Sequence, residues 1–322
     1  MPHAGDASTE MRPADSVIPN GADTILRQPI AARVSGNLHP APFRYPLTFM
    51  LRKLRARWSG RPVSRISDHD WQRNTSLIPF LGHLDDDERR QLRRSCESFL
   101  AGKQFSGAAG FEVDDDICLQ IAIQACLPVL HLPLRAYDDF VGIIVYPDRF
   151  IATRQETDEA GVVHEFDDEL AGEAMEGGPV VLSWPDADPR GSRAGYNVVI
   201  HEFVHKLDLL DGFADGAPPM PRALRPRWMQ TMSETFADLQ HRLDAIERAI
   251  PPDVDPESPA AEAWYDQLPV DPYAATDPGE FFAVASETFF TAPQQLCRSW
   301  PQLYALFRDY FGQNPLSGAR PL

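Results

Sequence analysis

The chain is 322 residues long and 43% hydrophobic, enough to bury one large core or two small ones. Its 47 acidic residues outweigh 30 basic ones, and a net charge of −17 repels phosphate backbones and argues against general nucleic-acid binding. The longest apolar stretch, Ile117 to Leu134, is broken by Gln120, Gln124, Pro128 and His131, so no transmembrane segment is expected.

The start, MPHAGDASTEMRPADS, lacks the basic head and apolar run of a secretory signal, which points to a cytoplasmic protein. Residues 1–45 mix Pro, Gly, Ala and Ser without periodicity and read as a disordered extension. Residues 46–70 form a basic segment containing Arg52, Lys53, Arg55, Arg57, Arg61 and Arg65, which reads as a solvated basic face, against the alternatives of a partner-docking or membrane-surface segment. LDDDERRQLRRSCESFLAGKQF then predicts a helix with Leu92, Cys96, Phe99 and Leu100 on one stripe. DDDICLQIAIQACLPVL predicts a second, more buried helix stopped by Pro128. The four cysteines form no CxxC pair and read as reduced thiols.

The pattern next switches to strands. FVGIIVYP and GPVVLSW are short apolar runs rich in β-branched residues. GVVHEFDDELAGEAMEGG between them is acidic and Gly-rich, as a loop or hairpin would be. Helix returns at Asn197, over Arg225 to Ile250, near Asp277 and through PQLYALFRDYFG. Helices, then strands, then helices predict an α+β fold rather than repeating βαβ units.

The helix at Asn197 carries the chemistry. In NVVIHEFVHKLDLLDG, His201 and His205 lie four positions apart, and at about 100° per residue they face nearly the same way. That is the H-E-x-x-H arrangement, in which two imidazoles hold a zinc ion and the intervening Glu202 acts as general base toward its water. Val198, Val199, Ile200, Phe203 and Val204 would bury the other faces, with Asn197 as the cap.

A catalytic zinc takes a third protein ligand. Where a metzincin has glycine and histidine after the motif, this chain has Asp208 and Asp211. Asp208 fits either a carboxylate that orients an imidazole or a plain surface charge. A later helix, DPYAATDPGEFFAVASETFF, offers Glu280 and Glu287 on one face. Glu280 also fits a capping box with Asp277, and Glu287 a buried hydrogen-bonded carboxylate or an outer partner of a ligand. Helical geometry alone does not choose among them.

These two segments, with SLIPFLGHLDDDERRQL, CLPVLHLPL, FVGIIVYP and GPVVLSWPDA, resemble the Mlc titration factor A family of glucose-regulated bacterial metallopeptidases. The resemblance covers about Trp71 to Pro315 and leaves the first seventy residues without a counterpart. It implies a single zincin-like domain over 71–315, similar in its catalytic core to anthrax lethal factor. An active-site helix would pack on a small mixed sheet, with helices before and after it. By resemblance His201, His205 and Glu280 hold one zinc ion per chain, Glu202 is the general base, and Tyr273 donates to the developing oxyanion. The resemblance further implies a peptide substrate, with aminopeptidase action among the possibilities, and a regulatory role in sugar uptake. The family is named for sequestering a transcriptional repressor, so repressor binding independent of catalysis is the alternative function. In zinc peptidases of this architecture an edge strand pairs with the substrate. Val181, Leu182 and Ser183 are the candidates here, against the alternative of a strand buried inside the sheet.

Overall fold

The computed structural model describes residues 65–157, 163–191, 193–256 and 258–318. The extension over 1–45 and residues 46–64 of the basic segment lie outside them.

Capping chemistry sets the first helices. α1 (Asp68–Thr75) begins where the Ser67 hydroxyl accepts the Asp70 N–H at 3.0 Å. α2 (Asp86–Gly102) opens on a capping box, Asp85 taking the Glu88 N–H at 2.8 Å while the Glu88 carboxylate takes that of Asp85 at 3.0 Å. Leu92, Cys96 and Phe99 are buried as their spacing predicts, and Leu100 at the edge of the stripe is half-buried. After β1 (Gln104–Gly107), α3 (Asp115–Cys126) is buried from Leu119 onward and stops just ahead of Pro128.

The strands are β2 (Gly142–Tyr146), β3 (Phe150–Thr157), β4 (Val163–Leu170), β5 (Gly172–Ala174) and β6 (Val180–Ser183). β3 and β4 pair antiparallel from Phe150 opposite Leu170 to Thr157 opposite Val163, the hairpin suggested by the acidic, Gly-rich stretch. The main sheet runs β1-β2-β6-β5. β1, β2 and β6 are parallel, with Ile143 beside Val180 and Val145 beside Leu182, and β5 returns antiparallel along β6.

β6 is therefore an inner strand, buried at all four positions, as unbroken apolar runs in parallel pairing are. This corrects the expectation that Val181, Leu182 and Ser183 form the substrate-facing edge. Their main chain is committed to β2 on one side and β5 on the other, and the outer edge belongs to β5.

α4 (Trp184–Ala187) turns the chain into α5 (Val198–Asp208), which packs on β5 and β6 and against α3. α6 (Arg225–Ala249), α7 (Glu262–Tyr265), α8 (Pro278–Thr291), α9 (Pro293–Ser299) and α10 (Pro301–Phe311) complete the described chain. α8 is clamped between α5 and an aromatic cluster: the Phe282 ring lies 5.4 Å from Trp228, 5.7 Å from Phe307 and 6.3 Å from Phe311. Each such pair adds about 0.5–1.5 kcal/mol beyond buried area, so α8 is held firmly against α5. The result is the expected α+β zincin-like arrangement, a central helix on a small mixed sheet between N-terminal and C-terminal helices. The four cysteines are free thiols, and no described helix is long and apolar enough to cross a membrane.

Candidate metal centre

α5 starts where Asn197 leaves extended backbone and its Oδ1 accepts the Ile200 N–H at 2.8 Å. Val199, Ile200, Phe203, Val204 and Leu207 are buried, and His201 and His205 share the face of the helix turned toward α8. α8 starts at Asp277, whose Oδ1 accepts the N–H groups of Gly279 at 2.7 Å and Glu280 at 3.0 Å, with Pro278 at the first helical position. Asp277 thus supplies its half of a cap. The Glu280 carboxylate turns to the histidines.

The three side chains converge. His201 Nε2 and His205 Nε2 are 3.1 Å apart, and Glu280 Oε2 lies 3.1 Å from the first and 3.3 Å from the second. Among the described residues this is the only group of three or more His, Cys, Asp or Glu placed to hold a metal ion. Zinc–ligand distances of 2.0–2.1 Å in tetrahedral geometry put ligand atoms about 3.3 Å apart, so the trio has the dimensions of three corners of a zinc site. The donor set fits as well. Glu287 Oε1 accepts from His201 Nδ1 at 2.8 Å, which fixes the tautomer and leaves the Nε2 lone pair pointing at the other two donors.

The electrostatics match a site built for a cation. Burial disfavours charge on His201, but hydrogen bonds and negative charge from Glu280 and Glu287 outweigh it and hold the imidazole well above its usual range. His205 is raised too, burial being overcome by the Glu280 charge. Burial likewise opposes ionisation of Glu280, yet the two histidines hold it well below the usual carboxylate range.

Glu202 is 4% exposed and lies beside β5, one position round α5 from His201, where burial pushes its carboxyl up to about 7. β5 comes so close there that a Cβ on Gly172 would lie 2.7 Å from Glu202 Cγ and 2.8 Å from Cδ. Glycine is required at 172 by this approach. Tyr273 sits in a 3-10 turn, Pro272–Ala275, begun by Asp271 accepting the Tyr273 N–H at 3.0 Å. Its ring centroid is 6.2 Å from that of His201, which places it at the rim of the trio.

Asp208 does not orient an imidazole. Gly212, at φ 90°, reverses the chain after α5, and the buried Asp208 Oδ2 accepts the Gly216 N–H at 2.8 Å while Oδ1 has no partner. The orienting carboxylate is Glu287. Asp211 is exposed and stands outside the trio. Two further residues at the site carried no sequence signal. One is Gly172. The other is Lys206, whose fully buried Nζ donates to Met175 O at 2.6 Å, Gly178 O at 3.1 Å and Asp139 Oδ2 at 3.3 Å, and lies 4.5 Å from the Phe140 ring centroid. It pins the β5–β6 turn to α5.

A sequence-family model described as glucose-regulated metallo-peptidase M90 matches residues 52–312, both site helices included. The chain belongs to the glucose-regulated metallo-peptidase M90 family. The M90 match begins at residue 52, inside the basic segment. Among curated relatives, Mlc titration factor A of Cronobacter sakazakii is 34% identical over 260 residues, covering 80% of this chain and 91% of that protein. The Escherichia fergusonii and Salmonella choleraesuis proteins of the same name are 33% and 32% identical, with the same coverage. The M90 membership makes this a metallopeptidase-type domain.

Proposed function

We propose that this chain is a zinc-dependent peptidase. The observation that carries the reading is the convergence of His201, His205 and Glu280 at 3.1–3.3 Å, with Glu287 on the outer nitrogen of His201. When bound there, zinc supplies Lewis acidity and brings the pKa of a coordinated water down toward neutrality. Glu202, buried and raised to about 7, is suited to accept a proton near neutral pH and return it to the leaving amine. The nearness of the Tyr273 ring to that of His201, 6.2 Å between centroids, supports a role for its hydroxyl as donor to the oxyanion that forms on the scissile carbonyl. The outer edge of β5, directly beside Glu202, offers main-chain groups to an extended peptide.

The test combines metal analysis with one substitution. The parent should bind about one zinc per chain, lose peptide hydrolysis to a chelator and recover it with zinc. Glu202→Gln should keep the metal and lose hydrolysis. Peptide turnover by Glu202→Gln at the parental rate would refute the general-base role.

The name of the curated relatives favours a second function, capture of a repressor. A net charge of −17 suits a basic, DNA-binding partner. Equal capture of purified repressor by parent and Glu202→Gln would establish binding independent of catalysis, and no capture by either would remove this reading.

A further inference from the structure

A chain of buried polar groups crosses the core between α3 and α5 and ends on His201. Because Asn197 Oδ1 accepts the Ile200 N–H, its Nδ2 is left to donate, and it does so to Gln124 Oε1 at 2.7 Å. With its oxygen committed, Gln124 turns Nε2 to two main-chain carbonyls, Gln120 at 3.2 Å and Ala187, the last residue of α4, at 3.1 Å. The Asn197 backbone N–H donates to Glu287 Oε2, and Glu287 Oε1 takes the Nδ1–H of His201. Gln124 is 0%, Asn197 5% and Glu287 2% exposed, so bulk water cannot replace any of these partners. Donor and acceptor counting then permits one orientation for each amide.

We propose that Gln124 is a positioning residue for the metal centre. By holding the Asn197 side chain it sets the first turn of α5 and the N–H that grips Glu287, and through Glu287 the ring plane of His201. A glutamine that merely tied α3 to α4 would need only its contact with Ala187. The oxygen given to Asn197 is what links it to the site. The inference rests on the zinc reading above.

Gln124→Met preserves volume and removes every hydrogen bond of the amide, while Gln124→Glu keeps the acceptor toward Asn197 and sets a carboxylate against two carbonyls. The measurements are zinc affinity by chelator competition and the absorption bands of cobalt-loaded protein. They are compared with the parent and with Leu92→Val, a core change on α2 that lowers stability without touching the chain of amides. Gln124→Met should bind zinc about tenfold more weakly and shift the cobalt bands, as loss of an outer-shell partner does. Asn197→Ala should show a similar loss, and the double variant no more than the larger single effect. Parental zinc affinity and cobalt bands in Gln124→Met, or losses that add in the double variant, would overturn the proposal. If Gln124→Met does not fold, Gln124→Glu decides: because it keeps the oxygen that accepts from Asn197, zinc affinity and cobalt bands should stay close to the parent's, and a loss as large as tenfold would overturn the proposal. A parent that takes up no zinc refutes the metal reading itself, whereas a parent and variants that load equally refute only the role of Gln124.

Discussion

Glu287 accepts the Nδ1–H of His201 at 2.8 Å. Glu280, two helical turns earlier on α8, faces the other nitrogen of the same ring at 3.1 Å. One rigid helix thus addresses both sides of one imidazole. Seven residues span about 10 Å along the axis, room for the ring to lie between the two carboxylates. Glu287→Gln would turn an amide N–H toward either the Asn197 N–H or His201 Nδ1. Zinc affinity in chelator competition should fall about 10- to 100-fold with the fold intact by circular dichroism.

Zinc loading should depend on pH in a definite direction. In the metal-free protein both histidines are raised above their usual 6.5 against burial, His201 by Glu280 and Glu287 and His205 chiefly by Glu280. Their contribution to stability is fully present below 6.5 and is lost as pH rises through the raised values. Glu280 is depressed below its usual 4.5, so its contribution is present above 4.5 and lost as pH falls through the depressed value. Protons and zinc compete for the same nitrogens. The difference in Tm between zinc-loaded and metal-free protein should therefore widen as pH rises from about 6 to about 8. A difference that narrowed over that range would contradict histidine ligation.

Gly172→Ala tests the approach of β5 to the base. The added methyl would press on Glu202 and force the carboxylate or the strand to move. Overpacking of this kind costs about 1–3 kcal/mol. We expect peptide hydrolysis at least about tenfold lower with zinc content unchanged, read from kcat and metal analysis of the same preparation, since about 1.4 kcal/mol in a barrier is tenfold in rate.

Lys206→Met tests the other end of that strand. It removes the buried donor shared by the Met175 and Gly178 carbonyls. Met175 O would keep the Gly178 N–H at 3.1 Å, while Gly178 O would lose its lysine donor; a buried carbonyl without a partner costs about 1–3 kcal/mol, so urea midpoints should drop. Because the β5–β6 turn is released while α5 and α8 still hold the trio, KM for peptides should rise more than zinc affinity falls. The opposite ordering would show that Lys206 supports the histidines and not the strand.

Several elements could be read before any coordinates. α2, α3, α5 and α6 follow from caps and apolar spacing, because those signals are local and act within a few residues. The acidic hairpin and the apolar strands β2 and β6 were visible for the same reason. Strand order was not. VVLS reads equally as an edge or an inner strand, and the difference lies in β5, a three-residue strand with no apolar pattern of its own. Asp208 shows the same limit. Its spacing from His201 suits an imidazole partner, but the reversal at Gly212 brings Gly216 N–H to it first.

The sequence alone determined the histidine pair and the glutamate between them, since one turn of backbone sets where those side chains point. It also determined that α8 carries two acidic groups on one face. Only the tertiary structure decided which carboxylate meets the histidines, which one holds Nδ1, and that an amide from α3 reaches the start of α5. Those relations depend on how helices distant in the chain pack together, and packing is set by the whole core, not by any short stretch within it.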